Sequence, residues 1–330
     1  MTSGATVTAT SAKRRGVVTV ARRKTPEARR QRLRRGLTVL LFLSPWIIGF
    51  LIFTLYPMVA SLYFSFTKYD MLGQPSFIGL RNYQFMFTKD PNFWLSIKNT
   101  LWIIVIAIPV RLAFAIGTAM LLIRATRGIK VYRTMFFLPS IAPAVAASLA
   151  FVFLLNPEYG PVNRILRGIG IDNPPLWFLD PTWSKPGLVL LGLWGIGDTM
   201  IIFLAGLLDV PRQLYEAADI EGAGPWQKFR FITLPMISPV IFFSVVTGII
   251  GSFQYFTEAY VTSSQVGGLG SPEGSLLFYA TNLYDEGFQQ FRMGYACALA
   301  WVLLVVTLIF TLIIFRGSKR FVFYQGGMFR

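Results

Sequence analysis

The chain has 330 residues, 54% of them hydrophobic, and carries 31 Lys and Arg against 15 Asp and Glu for a net charge of +16. Soluble domains hold about 45–50% apolar residues with glycine counted; the excess here, at mean hydropathy +0.55, is gathered into blocks of about twenty residues, the length that crosses a bilayer core. Cys297 is the only cysteine, and there is no histidine and no Gly-Lys pair, which excludes an intrachain disulfide, His-based catalysis and metal ligation, and a phosphate-binding loop of the G-x-x-x-x-G-K-[ST] type.

Residues 1–36 are basic and poor in apolar side chains. They are expected to be a disordered cytoplasmic tail drawn to anionic lipid. The apolar run that follows is too long for a signal-peptide core. Six spans are predicted: Leu37–Tyr56 (running on to Phe66), Leu101–Ile123, Met135–Leu155, Leu188–Leu208, Ile237–Phe256 and Met293–Phe315. Their continuous apolar runs favour helices over the period-two strands of a barrel, so the expected fold is all-α and integral to the membrane. Six crossings put both termini on one side.

Charge agrees with that topology. Lys and Arg cluster before the first span, between the second and third (Arg124, Arg127, Lys130, Arg133), in the 209–235 loop (Arg212, Lys228, Arg230) and after the sixth. The other loops carry fewer. The positive-inside rule places both termini and the 209–235 loop in the cytoplasm, and the positive charge is read as topology, with no nucleic-acid partner. The division is then a tail over 1–36, a transmembrane domain over 37–316 and a short cytoplasmic tail over 317–330.

Among the outer loops, 67–99 is expected to form short interfacial helices. Residues 157–186 carry Trp177 and Trp183, a pair suited to a membrane interface. Val266–Pro272 reads as a turn-rich loop.

The 209–235 loop predicts helix–turn–helix. Pro211 suits a helix start. Leu214, Ala217 and Ala218 share a face, with Glu216 and Asp219 on an adjoining polar one, and Arg212 is spaced to pair weakly with Glu216. Gly222 ends the helix, and Gly224-Pro225 opens a second. Two small alanines admit a partner backbone, and Glu216 offers it an acceptor. An interfacial loop with ordinary caps fits the spacing equally well.

The order Glu216-Ala217-Ala218, then Gly222, then Ile232, Leu234 and Pro235 matches EAA-x3-G-x9-I-x-L-P at every fixed position. With Phe77–Tyr83, Asn99-Thr100, Phe136–Pro139, Gly160–Asn163 and Gly294–Trp301, the stretch from Leu37 to Arg316 resembles the permease subunits of bacterial binding-protein-dependent ABC importers, in particular the first-permease type of the maltose and glycerol-phosphate branch. Segments typical of the maltose protein itself are lacking, so maltose specificity does not follow. The resemblance implies the maltose-type permease fold in the bacterial cytoplasmic membrane. It implies a second homologous permease, an ABC ATPase dimer that binds ATP and Mg, an extracytoplasmic solute-binding lipoprotein and a sugar substrate as partners, beside membrane lipid. It assigns ATPase coupling to Glu216, Ala217, Ala218 and Gly222, with Asp219 and Gly224 as neighbours. No catalytic residue, metal or cofactor of the chain's own is expected.

Arg111 and Asp198 fall inside spans, where a charge costs about 2.5–3.5 kcal/mol on insertion scales. They are expected to pair, to share a polar cavity, or to clamp two helices without touching substrate. Gln254, Tyr255 and Glu258, with Trp194 and Asp198, supply the amide, carboxylate and flat rings that sugars favour. Thr247, Gly251 and Gln254 match the family's sugar-lining segment in position, though its asparagines are absent. Against this, Phe253 and Phe256 also suit lipid contact and Tyr255 an interfacial belt. Alternatives are an ion-coupled secondary transporter, for which Asp198 is the one deep acid, a membrane enzyme, for which no constellation exists, and a permease for another solute such as glycerol phosphate.

Overall fold

The computed structural model describes residues 26–124 and 128–322. Expectations for residues 1–25, Arg127 and residues 323–330 lie outside it. The chain divides between Val59 and Ala60 into two units, and each is taken by itself.

In the first unit the helix Pro26–Phe50 passes through a π turn at Leu51–Leu55. Residues 26–36, expected to be disordered, are therefore helical. Proline at the first position and the strong helix formers Glu, Ala, Arg, Gln and Leu after it favour that state, and the apolar helix beyond supplies the nucleus. Nearly all apolar side chains from Leu37 onward are exposed, Phe42 to 81% and Phe53 to 80%. Lipid tolerates such a surface over that length and water does not.

Three helical runs are uninterrupted, long and apolar enough to cross a membrane: Arg35–Ser65, Pro91–Arg124 and Met293–Ser318. The other three expected spans are broken. Ile129–Ile141 meets Ala144–Leu154 at 99°, Pro181–Trp194 meets Gly197–Leu208 at 54°, and Pro225–Met236 meets Ser238–Phe253 at 64°. Counting each bent pair as one span gives six. Prolines cause two of the breaks. Pro139 and Pro143 flank the first, and Pro239 stands at the start of the helix after the third, each removing an N–H and crowding the preceding turn. The break at Gly195–Ile196 has a packing cause. A Cβ on Gly197 would lie 2.7 Å from the Phe136 carbonyl oxygen and the Phe137 Cα, so the fourth span closes on the bend of the third only through a glycine.

Near the 209–235 loop, Ala115, Ala119, Met200, Phe203, Leu207 and Ile237 form one core cluster. At the opposite end Trp177, Phe178, Leu188, Leu276 and Phe278 form another. The residues between spans at that end are folded into a cap. An antiparallel pair of two-residue strands, Thr67–Lys68 and Ser76–Phe77, interrupts the helical pattern, and the helix Arg81–Thr88 follows. Trp177, expected at the interface, is buried and donates its indole N–H to Asn163 Oδ1 at 2.6 Å. It is a core residue because Asn163 satisfies its polar atom; Trp183 stays exposed. The Val266–Pro272 run is a turn, with positive φ at Gly267, Gly268 and Gly270.

Candidate functional site

The 209–235 loop is a folded knob. Helix Arg212–Ile220 follows Pro211, which sits as its extended N-cap. The helix ends where Gly222 takes φ +76° and the Ala223 and Gly222 amides donate to the Ala218 and Asp219 carbonyls at 2.9 and 3.1 Å, closing groups that a helix end leaves open. The Gly224 amide donates to Gln227 Oε1 at 2.7 Å, and helix resumes over Pro225–Met236 with a π turn at Phe229–Thr233. The two arms are tied twice. Lys228 pairs with Asp219, and the Tyr215 and Thr233 hydroxyls are 2.8 Å apart, with Tyr215 packed on the core cluster below. Arg212 and Glu216 form no ion pair among the described residues; both are exposed, where such a pair gains little over hydration.

The far side of the knob is bare. Glu216 and Ala217 are exposed, Ala218 and Gly224 are half-buried, and Ile220 and Trp226 are 89% and 71% exposed. Two large apolar residues on a rigid element beside a free carboxylate make a surface suited to a protein partner.

A cavity of about 500 Å³ lies among three spans. One wall is Ile103, Ile108 and Arg111. A second is Leu188, Val189, Gly192 and Thr199 from the fourth span, and the third is the helix Ser238–Phe253 with Gln254–Glu258 after it. Of the predicted residues, Arg111, Thr247, Gly251, Gln254, Tyr255 and Glu258 line it. Trp194 and Asp198 do not. Trp194 packs on Phe151 with ring centroids 5.8 Å apart. Asp198 is exposed in the first turn after the break, where the helix dipole favours a carboxylate. The expected Arg111–Asp198 pair is absent among the described residues, because the break gives Asp198 a helix N-terminus in place of a mid-helix setting.

Thr199, Ser244 and Ser252 line the cavity and escaped the sequence reading. The signal was present: Ser244, Thr247, Gly248, Gly251 and Ser252 fall at i, i+3, i+4, i+7 and i+8, one small and polar face of a helix. Ser252 and Thr247 donate back to the Gly248 and Phe243 carbonyls at 2.8 and 2.9 Å, leaving oxygen lone pairs for a guest. The glycines make the space, since a Cβ on Gly251 would meet nothing within 4 Å. Arg111 and Glu258 both line the cavity but form no ion pair with each other. The wall therefore offers amide, hydroxyl, carboxylate, guanidinium and ring together.

The described features recur in known proteins. Residues 112–321 match the model of the family described as the binding-protein-dependent transport system inner membrane component. The chain is 43% identical over 286 residues to the "Probable ABC transporter permease protein YesP" of Bacillus subtilis (strain 168), covering 86% of this chain and 91% of that protein. It is 34% identical to the arabinooligosaccharides transport system permease protein AraP of the same organism, covering 85% and 88%. Among solved structures, a bacterial alginate ABC transporter in complex with an alginate pentasaccharide-bound periplasmic protein superposes with a TM-score of 0.75 at 26% identity, covering 88% of this chain and 96% of the other. With its knob, its cavity and its multi-pass helical frame, the chain belongs to the family of binding-protein-dependent transport system inner membrane components, the permease subunits of ABC importers.

Proposed function

We propose that the chain forms half of the pathway of an ATP-driven sugar importer in the bacterial cytoplasmic membrane. It pairs with a second homologous permease, receives solute from an extracytoplasmic binding protein, and is driven by a separate ATPase dimer that holds ATP and Mg and seizes the 209–235 knob. The carrying observation is the knob itself. It is locked to the core through Tyr215 and Thr233 and bare on the side that bears Glu216, Ala217 and Ile220. A rigid element with an unoccupied apolar face passes a push from the partner to the spans as a rigid-body movement, and nucleotide binding biases the two arrangements of the cavity. The sugar reading draws on the mixed wall of the cavity and on relatives named for arabinooligosaccharides and alginate.

The test is co-expression of the whole transporter with Glu216→Ala and Gly222→Val. Gly222 sits at positive φ with open space around it, so valine there distorts the turn without a clash. Transport and ATPase co-purification should fall at unchanged membrane abundance. If both stay at wild-type levels, the knob is not the coupling element.

A further inference from the structure

The helix Ser238–Phe253 leaves the knob and finishes at the opposite end of the bundle, where four aromatic rings touch in series. Phe256 is the first, and it lines the cavity. Its ring stacks on that of Tyr260 with centroids 5.2 Å apart and lies 5.1 Å from that of Tyr284. Tyr260 meets Tyr284 edge-on at 5.2 Å, and Tyr284 stacks on Phe288 at 5.3 Å. Phe256 and Tyr260 open the helix Thr257–Val266. Tyr284 ends the helix Tyr279–Tyr284, and Phe288 lies in the π turn Asp285–Gln289 that continues it. Each pair is four residues apart and shares one face of its segment. The series therefore joins two faces from separate parts of the chain. None of the four rings packs into a core cluster among the described residues. Phe256, Tyr260 and Tyr284 are half-buried, and Phe288 is 53% exposed. Amides stand at both ends: Gln254 is exposed on the cavity wall, and Gln289 and Gln290 are exposed beside Phe288. Hydrocarbon penalises exposed amides, whereas water and sugar hydroxyls satisfy them.

We infer that Phe256, Tyr260, Tyr284 and Phe288 form a ribbon along which a saccharide passes from the outer face into the cavity, its C–H faces against the rings and its hydroxyls toward the amides. The inference rests on the sugar-importer reading and adds to it a second binding surface outside the cavity. An aromatic ring offers a broad apolar face, and stacking on it makes no demand for one fixed hydroxyl pattern. A guest can step from ring to ring and keep a contact throughout. A single sugar touches ribbon and cavity in turn, whereas a longer chain touches both together. Loss of the rings is then felt more strongly as the chain lengthens.

The test uses the complete transporter in vesicles with the arabinose, cellulose and maltose series, each from monosaccharide to tetrasaccharide. Tyr260→Leu with Tyr284→Leu keeps apolar bulk and removes two rings. At unchanged membrane abundance it should raise the KM of the longest carried member roughly tenfold, the scale of two ring contacts, and that of shorter members progressively less. Tyr260→Phe with Tyr284→Phe keeps the rings and should restore the wild-type KM. An unchanged KM in the leucine variant, an equal rise at every length, or no recovery with phenylalanine would overturn the ribbon and leave the sugar importer standing. Carriage of no saccharide would remove both. A second readout labels Phe288→Cys with a membrane-impermeant maleimide, the native Cys297 being buried. The thiol should react in the assembled transporter and be shielded by a saturating carried saccharide. A thiol that is unreactive from the start would mean that the second permease or lipid covers this ring, and would count against the ribbon equally.

Discussion

The outer cap and the knob both carry family-like motif residues, and the two regions use them in opposite ways. In the cap, Asn99 donates to the Gly274 and Leu277 carbonyls at 2.8 and 2.9 Å, Asn82 donates to the Ser65 and Thr67 carbonyls at the same two distances, and Asn163 donates to Pro175 and accepts from Trp177. Thr100 accepts from the Tyr279 amide, and Tyr295 donates to Asp90. These side chains join segments distant in sequence, and their hydrogen-bonding capacity is met inside the chain. In the knob, Glu216 accepts from no donor among the described residues, and Ile220 lies open. A motif residue satisfied at home is a staple; one left bare waits for another molecule.

That contrast predicts an ordered set of outcomes. The largest belongs to Gly294→Val. A Cβ there would sit inside the contact distance of the Thr67 carbonyl and 3.1 Å from the Tyr69 amide nitrogen, both rigid backbone, so membrane abundance should collapse; normal abundance would mean that the cap yields. Asn99→Leu comes next. It leaves the half-buried Gly274 carbonyl and the buried Leu277 carbonyl without a donor, about 2–6 kcal/mol at about 1–3 per group, read as a lower unfolding temperature and faster proteolysis within 267–277. A smaller effect of opposite sign is expected from Glu286→Gln. Burial raises the Glu286 carboxyl above its ordinary 4.5, against the opposing pull of Arg292. The folded chain therefore holds that proton more tightly than the unfolded one, and its contribution is full below pH 4.5 and lost as pH rises through the raised value. The glutamine variant should melt higher than wild type at neutral pH, with the gap closing on acidification; a gap that widens in acid would contradict the burial argument. Ile220→Lys should change stability least, within about 0.5 kcal/mol, while abolishing ATPase capture. A large drop in melting temperature would show that the knob's open face belongs to the cap's class.

Much of this was legible in the chain. Long apolar runs gave six crossings, since bilayer thickness sets their length. Gly222 and Gly224-Pro225 gave the knob's turn, since left-handed backbone and the loss of an amide are local matters. Five of the seven predicted cavity residues line it, because Thr247 and Gly251 stand where the family's sugar-lining segment falls and Gln254, Tyr255 and Glu258 carry the groups that sugars favour. Two of the failures share one cause. Trp177 looked interfacial because its buried partner Asn163 is fourteen residues away. Asp198 looked mid-span because the break before it depends on Gly197 meeting Phe136 and Phe137.

Hydropathy, turn chemistry and charge bias thus depend on neighbours within a few positions, and the linear order of residues was enough to place the spans, the knob and the family. Where the spans bend, which asparagines act as staples, and that Lys185 lies over Trp102 depend on side chains brought together from separate helices. Such meetings are properties of packing, and they appear only once the chain has closed on itself.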